Sequence, residues 1–167
     1  MSPQLIFFAS VAFSFIAWGI VASRYIWPKL RDLDRTEALR PILMLHSFRF
    51  FGLVFLVPGV VSPELPAAFA RPTAYGDFIA AILALLALFT LSSGVGSAMT
   101  WIFNLWGAAD LLNAFYQGNR AGLHAGQLGA TYIIPTLIVP LLLITHGLAF
   151  RILLHRQHQS AIVEQAA

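Results

Sequence analysis

The chain has 167 residues, 59% of them hydrophobic and only 10% charged, with a mean hydropathy of +0.78. Soluble domains run near roughly 45–50% apolar and 25% charged, so this composition speaks against a water-soluble globule and for an all-α, multi-pass membrane protein. There is no cysteine, which excludes disulfides, thiolate nucleophiles, iron–sulfur clusters and cysteine-ligated zinc, and the formal charge of +3 is scattered over helix ends, so no nucleic acid is expected as a partner.

A chain of this length has room for about five spans of about 20 residues. The first expected span covers 5–26, LIFFASVAFSFIAWGIVASRYI. A cleaved signal peptide is the rival reading, because Val-Ala-Ser at 21–23 resembles a cleavage site. Against it, no positive charge precedes the apolar run, and the run exceeds the usual core of about 7–15 residues. Residues 28–40 are the only strongly charged segment, and Leu30, Leu33 and Leu39 suit either a short amphipathic helix lying at the interface or a solvated loop.

The second span is expected over 42–61, carrying His46 and Arg49 near its start and Pro58-Gly59 near its end. A proline-rich loop, 62–73, leads to the third span at 75–91. There Asp77 reads as an acid favoured by a helix N-terminus, and Gly76, Ala80 and Ala84 form a small-residue stripe that admits a close neighbour. The glycine- and serine-rich turn at 92–97 makes the third and fourth spans an antiparallel pair. The fourth span is expected over 98–116 and the fifth over 128–150, the latter interrupted by Pro135 and Pro140, with a polar loop at 117–126 between them. Residues 1–155 read as one membrane domain and 156–167 as a short cytoplasmic tail. Pro135 and Pro140 each free a carbonyl four residues earlier, and the resulting bend either shapes the fifth helix around its neighbours or opens a pocket beside the fourth.

Five of the ten basic residues fall between the first and second spans and two in or near the tail. The positive-inside rule then puts the amino terminus outside and the carboxyl terminus in the cytoplasm of a bacterial-type inner membrane.

Against that frame the polar residues inside the spans stand out. Asp110 lies mid-helix, and Trp106, Asp110, Asn113 and Gln117 fall on one helical stripe. A carboxyl at membrane depth faces protein or water and marks function by default. With the boundaries above, His46 and His146 lie roughly 6 Å inside the cytoplasmic boundary, Arg49 near 10 Å and Asp110 near 18 Å. Arg49 either snorkels to the headgroups or turns inward to Asp110, with Asn104 level with it as a bridge.

Several chemistries remain open. One is an intramembrane module for a small lipophilic ligand between the fourth and fifth spans. In it Asp110, Asn113, Gln117 and Tyr132 form a polar floor, Trp106, Phe103 and Phe115 the walls, and Asn104 and Arg49 stand beside them. The same polar groups would serve equally as glue between helices. A b-type cytochrome would use His46 and His146 as axial haem ligands, since imidazoles at equal depth on two spans are what bis-histidine ligation requires. A small transporter or proton-coupled carrier would use Asp110, Arg49 and His46 as a relay, and would need to self-associate because the chain is short and has no inverted repeat. Enzyme signatures (GxSxG, HExxH, Walker A) are missing, although His124 and Asp110 could flank an outer cavity. The expected partners are the bilayer, a lipophilic small molecule and further copies of the chain.

Overall fold

The computed structural model describes the backbone of residues 1–165 and the side chains of residues 1–154, so the side chains of the expected tail lie outside the described residues. The fold is all-helical. Its long helices are α1 (Pro3–Leu30), α2 (Arg35–Leu56), α3 (Ala67–Thr90), α4 (Gly96–Arg120) and α5 (Ile134–Leu154, with helical bonding continuing to Gln165). The first three and α5 are long and apolar enough to cross a membrane. In α4, Thr100, Asn104, Asp110 and Asn113 interrupt the apolar run.

Prolines did not end helices where sequence spacing suggested. Pro28 continues α1, and Pro41 and Pro72 lie inside α2 and α3. A proline lacks the N–H and crowds the carbonyl four residues back. In α1 and α5 a π-helical turn takes up that conflict: Ala22–Ile26 precedes Trp27-Pro28, and Ile134–Ile138 precedes Val139-Pro140. The wider turn lets Trp27 N–H reach Ala22 O and Val139 N–H reach Ile134 O.

Neither the interfacial helix nor the solvated loop allowed for 28–40 forms as a separate element, since 28–30 close α1 and 35–40 open α2. Asp34 caps α2 by accepting from Glu37 N–H at 2.9 Å, so α2 begins seven residues before the expected position 42. It also ends at Leu56 rather than 61. α3 begins at Ala67 rather than 75, which puts Asp77 in mid-helix instead of a first turn. Residues 117–120, expected as loop, remain in α4.

The final part of α2, Phe48–Leu56, is a 3₁₀-helix. With three residues per turn it aligns Arg49, Gly52 and Phe55 in one row, and all three are buried. α3 packs on α2 and α4, α5 packs on the same two helices, and α1 lies outside against α5. Trp18 Nε1 of α1 donates to Leu137 O of α5 at 3.1 Å and pins that contact. The stripe Gly76, Ala80, Ala84 is buried as its small side chains suggested.

Apolar residues form two clusters. One joins Leu30, Leu39, Leu43, Ala87, Phe103 and Leu153; the other joins Phe55, Phe69, Ala74, Leu111, Leu128 and Leu142. At the end of the second cluster the loop after α2 is knit to the 3₁₀ segment Ala125–Tyr132, by Ala130 N–H to Val60 O at 3.0 Å and Ser62 N–H to Gln127 O at 3.1 Å. Gly129 permits this with φ +54, and a Cβ there would stand 2.5 Å from Val60 O. Gly129→Ala is expected to lower stability by about 1–3 kcal/mol, read as a lower melting temperature in detergent. Gly126→Ala, which meets nothing within 4 Å, is the control and should melt near the wild type.

Candidate functional site

Between the two apolar clusters, four helices contribute a buried polar layer. Arg49 is its centre, only 3% exposed. It lies fourteen residues into α2, and Asp110 lies fourteen residues into α4, so each is roughly 21 Å from the same end of the bundle at 1.5 Å per residue. The depth difference expected between them came from placing the start of α2 too late.

The guanidinium uses all three nitrogens. Nε donates to Asp77 Oδ1 at 2.8 Å, Nη2 lies 2.7 Å from Asp77 Oδ1 and 2.7 Å from Asp110 Oδ2, and Nη1 donates to Gly107 O at 3.1 Å. Arg49 thus turns inward and reaches Asp110 directly, with no need of Asn104 as a bridge. Three glycines make the approach possible. A Cβ on Gly52 would run into Asp77, one on Gly76 would run into Asp110, and one on Gly107 would stand 2.6 Å from His146 Cε1 and 2.8 Å from Arg49 Nη1. A planar fork that meets two carboxylates and a carbonyl is work for arginine rather than lysine.

The histidines complete the layer. His146 Nδ1 is 2.6 Å from Asn104 Oδ1, and Asn104 Nδ2 donates back to His146 O at 3.3 Å. Arg49 Nη1 can only donate, and at 3.4 Å it faces His146 Nε2, which sets the imidazole proton on Nδ1. His46 Nε2 is 2.9 Å from Thr145 Oγ1. That hydroxyl already donates to Leu141 O and Leu142 O, so Nε2 of His46 is the donor and its Nδ1 is a buried acceptor with no partner among the described residues.

The two imidazoles share a level, as the spacing suggested, but they touch. Their ring centroids are 4.2 Å apart, and Phe103 packs against both at 5.1 and 5.2 Å. Bis-histidine ligation requires a porphyrin and its iron between the rings. There is no such gap, and three of the four ring nitrogens are held by protein groups. His46 and His146 do not fit haem b.

A cavity of about 520 Å³ runs from the carboxylates toward the end of the bundle that holds Gln4 and His124. Asp77 and Asp110 line it, and five phenylalanines, Phe7, Phe8, Phe55, Phe69 and Phe115, supply much of its apolar wall. Pro135, at the bent start of α5, also lines it. The cavity is therefore shared by α1, α2, α3, α4 and α5 rather than confined to the last two helices.

The structure divides the expected floor. Asp110 lines the cavity, and Arg49 and Asn104 lie in the buried layer beside it. Trp106 is 44% exposed and only its Nε1 turns back, 3.5 Å from Gly76 O. Asn113 is exposed and Gln117 half-buried, and neither lines the cavity. Tyr132 is half-buried with its ring edge-on to Phe7 at 5.9 Å and its hydroxyl without a partner among the described residues, also off the cavity. The buried stripe of α4 is instead Thr100, Asn104, Gly107, Leu111 and Gly118. Asp110 borders both stripes, and the glycines mark the one that faces protein.

Asp77, Thr73 and Thr145 are members that spacing alone did not pick out. Asp77 was obscured by the late start assigned to α3. Its signal was an acid one residue after Gly76 and within a small-residue stripe.

Residues 6–154 match the family described as Domain of unknown function (DUF8737). No curated protein and no solved structure matches the chain.

Proposed function

We propose, for a chain that belongs to the DUF8737 family, that it is an intramembrane binding module. In this reading it is a five-span protein of the cytoplasmic membrane, amino terminus outside, that holds a small lipophilic ligand in the cavity beside Asp110. The cavity carries the reading. Its volume of about 520 Å³ lies within the range of small-molecule sites, roughly 300–1,000 Å³, and it combines apolar walls with a few convergent polar groups.

The five-span topology is supported by α4. Its 25 residues suffice to cross hydrocarbon, and the polar residues that lower its hydropathy include those that build the buried layer. Arg24, Lys29, Arg31, Arg35 and Arg40 gather where α1 passes into α2, while Arg71 and Arg120 stand at the other end, which favours a cytoplasmic basic end. The outward face of α1 carries Phe13, Ile16 and Ile20, each at least half exposed, as suits a helix bathed in lipid. Binding is favoured over transport because the cavity stops at the carboxylates. Beyond them Leu39, Leu43, Phe103 and Leu153, all but fully buried, close the way to the basic end.

Native mass spectrometry of the gently solubilised protein is expected to show a bound small molecule or lipid at defined stoichiometry. Ala114→Trp, which places a large ring in the cavity, should release it without unfolding the bundle. A wild-type spectrum of bare protein, unchanged by Ala114→Trp, would overturn the reading.

A further inference from the structure

Each carboxylate of the layer gives one oxygen to Arg49. The second oxygens, Asp77 Oδ2 and Asp110 Oδ1, receive no hydrogen bond among the described residues. One turn before Asp77 on α3, Thr73 is only 8% exposed and its Oγ1 has no partner among the described residues. All three residues line the same cavity. A buried hydroxyl without a partner, beside two carboxylates that border the cavity, leaves hydrogen-bonding capacity that a ligand's donors could meet.

Charge points the same way. With both carboxylates ionised, two against one guanidinium leave one negative charge in excess, in surroundings that exclude counterions. An anionic ligand would add to the excess, and a neutral one would leave it. A bare metal ion finds no cluster of three ligating side chains among the described residues and would not use the aromatic wall. An ammonium group carries three N–H donors for three oxygens, and phenylalanine rings attract cations through their faces.

We propose that the cavity takes an organic cation, a protonated amine with an apolar body. Its ammonium is held by Thr73, Asp77 and Asp110, and its body lies among Phe7, Phe8, Phe55, Phe69 and Phe115. This rests on the binding reading above and adds the charge class. Entry is from the end holding Gln4 and His124, and the ammonium travels roughly 15 Å, the length of α4 from Arg120 back to Asp110.

The test uses two probes of one shape, 4-phenylbutylammonium and 4-phenylbutanol, in equilibrium dialysis of the full-length protein in detergent against empty micelles. The amine is expected to bind at least about tenfold more tightly than the alcohol, as a charge-assisted contact warrants. Asp110→Asn should remove most of that difference by weakening the amine. Thr73→Val should weaken the amine as well. Equal affinities in the wild type, or a tighter alcohol, overturn the cation class while the binding reading stands. No binding of either probe above micelle partition, in both the wild type and Ala114→Trp, overturns both. Should Asp110→Asn fail to fold, the wild-type ratio and Thr73→Val decide the matter.

Discussion

Arg49→Met is expected to cost about 3–5 kcal/mol of stability, enough to leave little monodisperse protein after solubilisation. The substitution keeps the length and apolar stem of the side chain. It removes the donors to Asp77, Asp110 and Gly107 O, leaving two carboxylates facing each other across a buried layer. The loss therefore comes from uncompensated burial rather than from missing bulk. Combining Arg49→Met with Asp77→Asn and Asp110→Asn removes every charge at once and should recover most of the stability, since replacing a whole buried ion cluster is often close to neutral. Arg49→Lys should fall between, because an ammonium on a single stem lacks the fork that meets two carboxylates together. Thermal melts of the wild type and the three variants in one detergent settle this. If Arg49→Met melts with the wild type, the ion cluster does not hold the bundle together.

Gly107→Ala is the second large effect. A single methyl there would stand 2.6 Å from His146 Cε1 and 2.8 Å from Arg49 Nη1, and neither neighbour is free to retreat. His146 is fixed by Asn104, and Arg49 by two carboxylates. We expect a loss of about 1–3 kcal/mol from overpacking. Helix propensity alone would favour alanine by about 1 kcal/mol, so the sign of the result distinguishes steric close approach from backbone preference. Gly147→Ala on α5, where a Cβ meets nothing within 4 Å, is the matched control and should be neutral or slightly stabilising. A stable Gly107→Ala would mean that the helices do not approach as closely as described.

Why some of this was readable from spacing, and some not, follows from particular residues. Asp110 announces itself because an acid in an apolar helix has few places to go. Gly76, Ala80 and Ala84 recur every four residues, which names a contact face without naming the neighbour. Asp77 was misread because Pro72 appeared to end a loop, whereas it lies inside α3, as Pro41 lies inside α2. The same misjudgement moved the start of α2 and displaced Arg49 from the level of Asp110. The polar stripe of α4 was drawn through Trp106 and Asn113 because polarity looked like the inward signal. In this helix the inward signal was glycine, since it lets a charged neighbour come close.

Composition and the placement of lysine and arginine are enough to establish an all-helical chain with long apolar helices, because hydrocarbon length and charge cost act on each segment separately. Which side chains meet depends on helix starts, on turns that widen or tighten, and on how near two backbones come. Those are properties of the packed bundle, and a shift of a few residues in one helix changes the level of every group it carries. The pairing of Arg49 with both carboxylates, the contact of the two histidines and the cavity beneath the loops were therefore decided only when the helices packed.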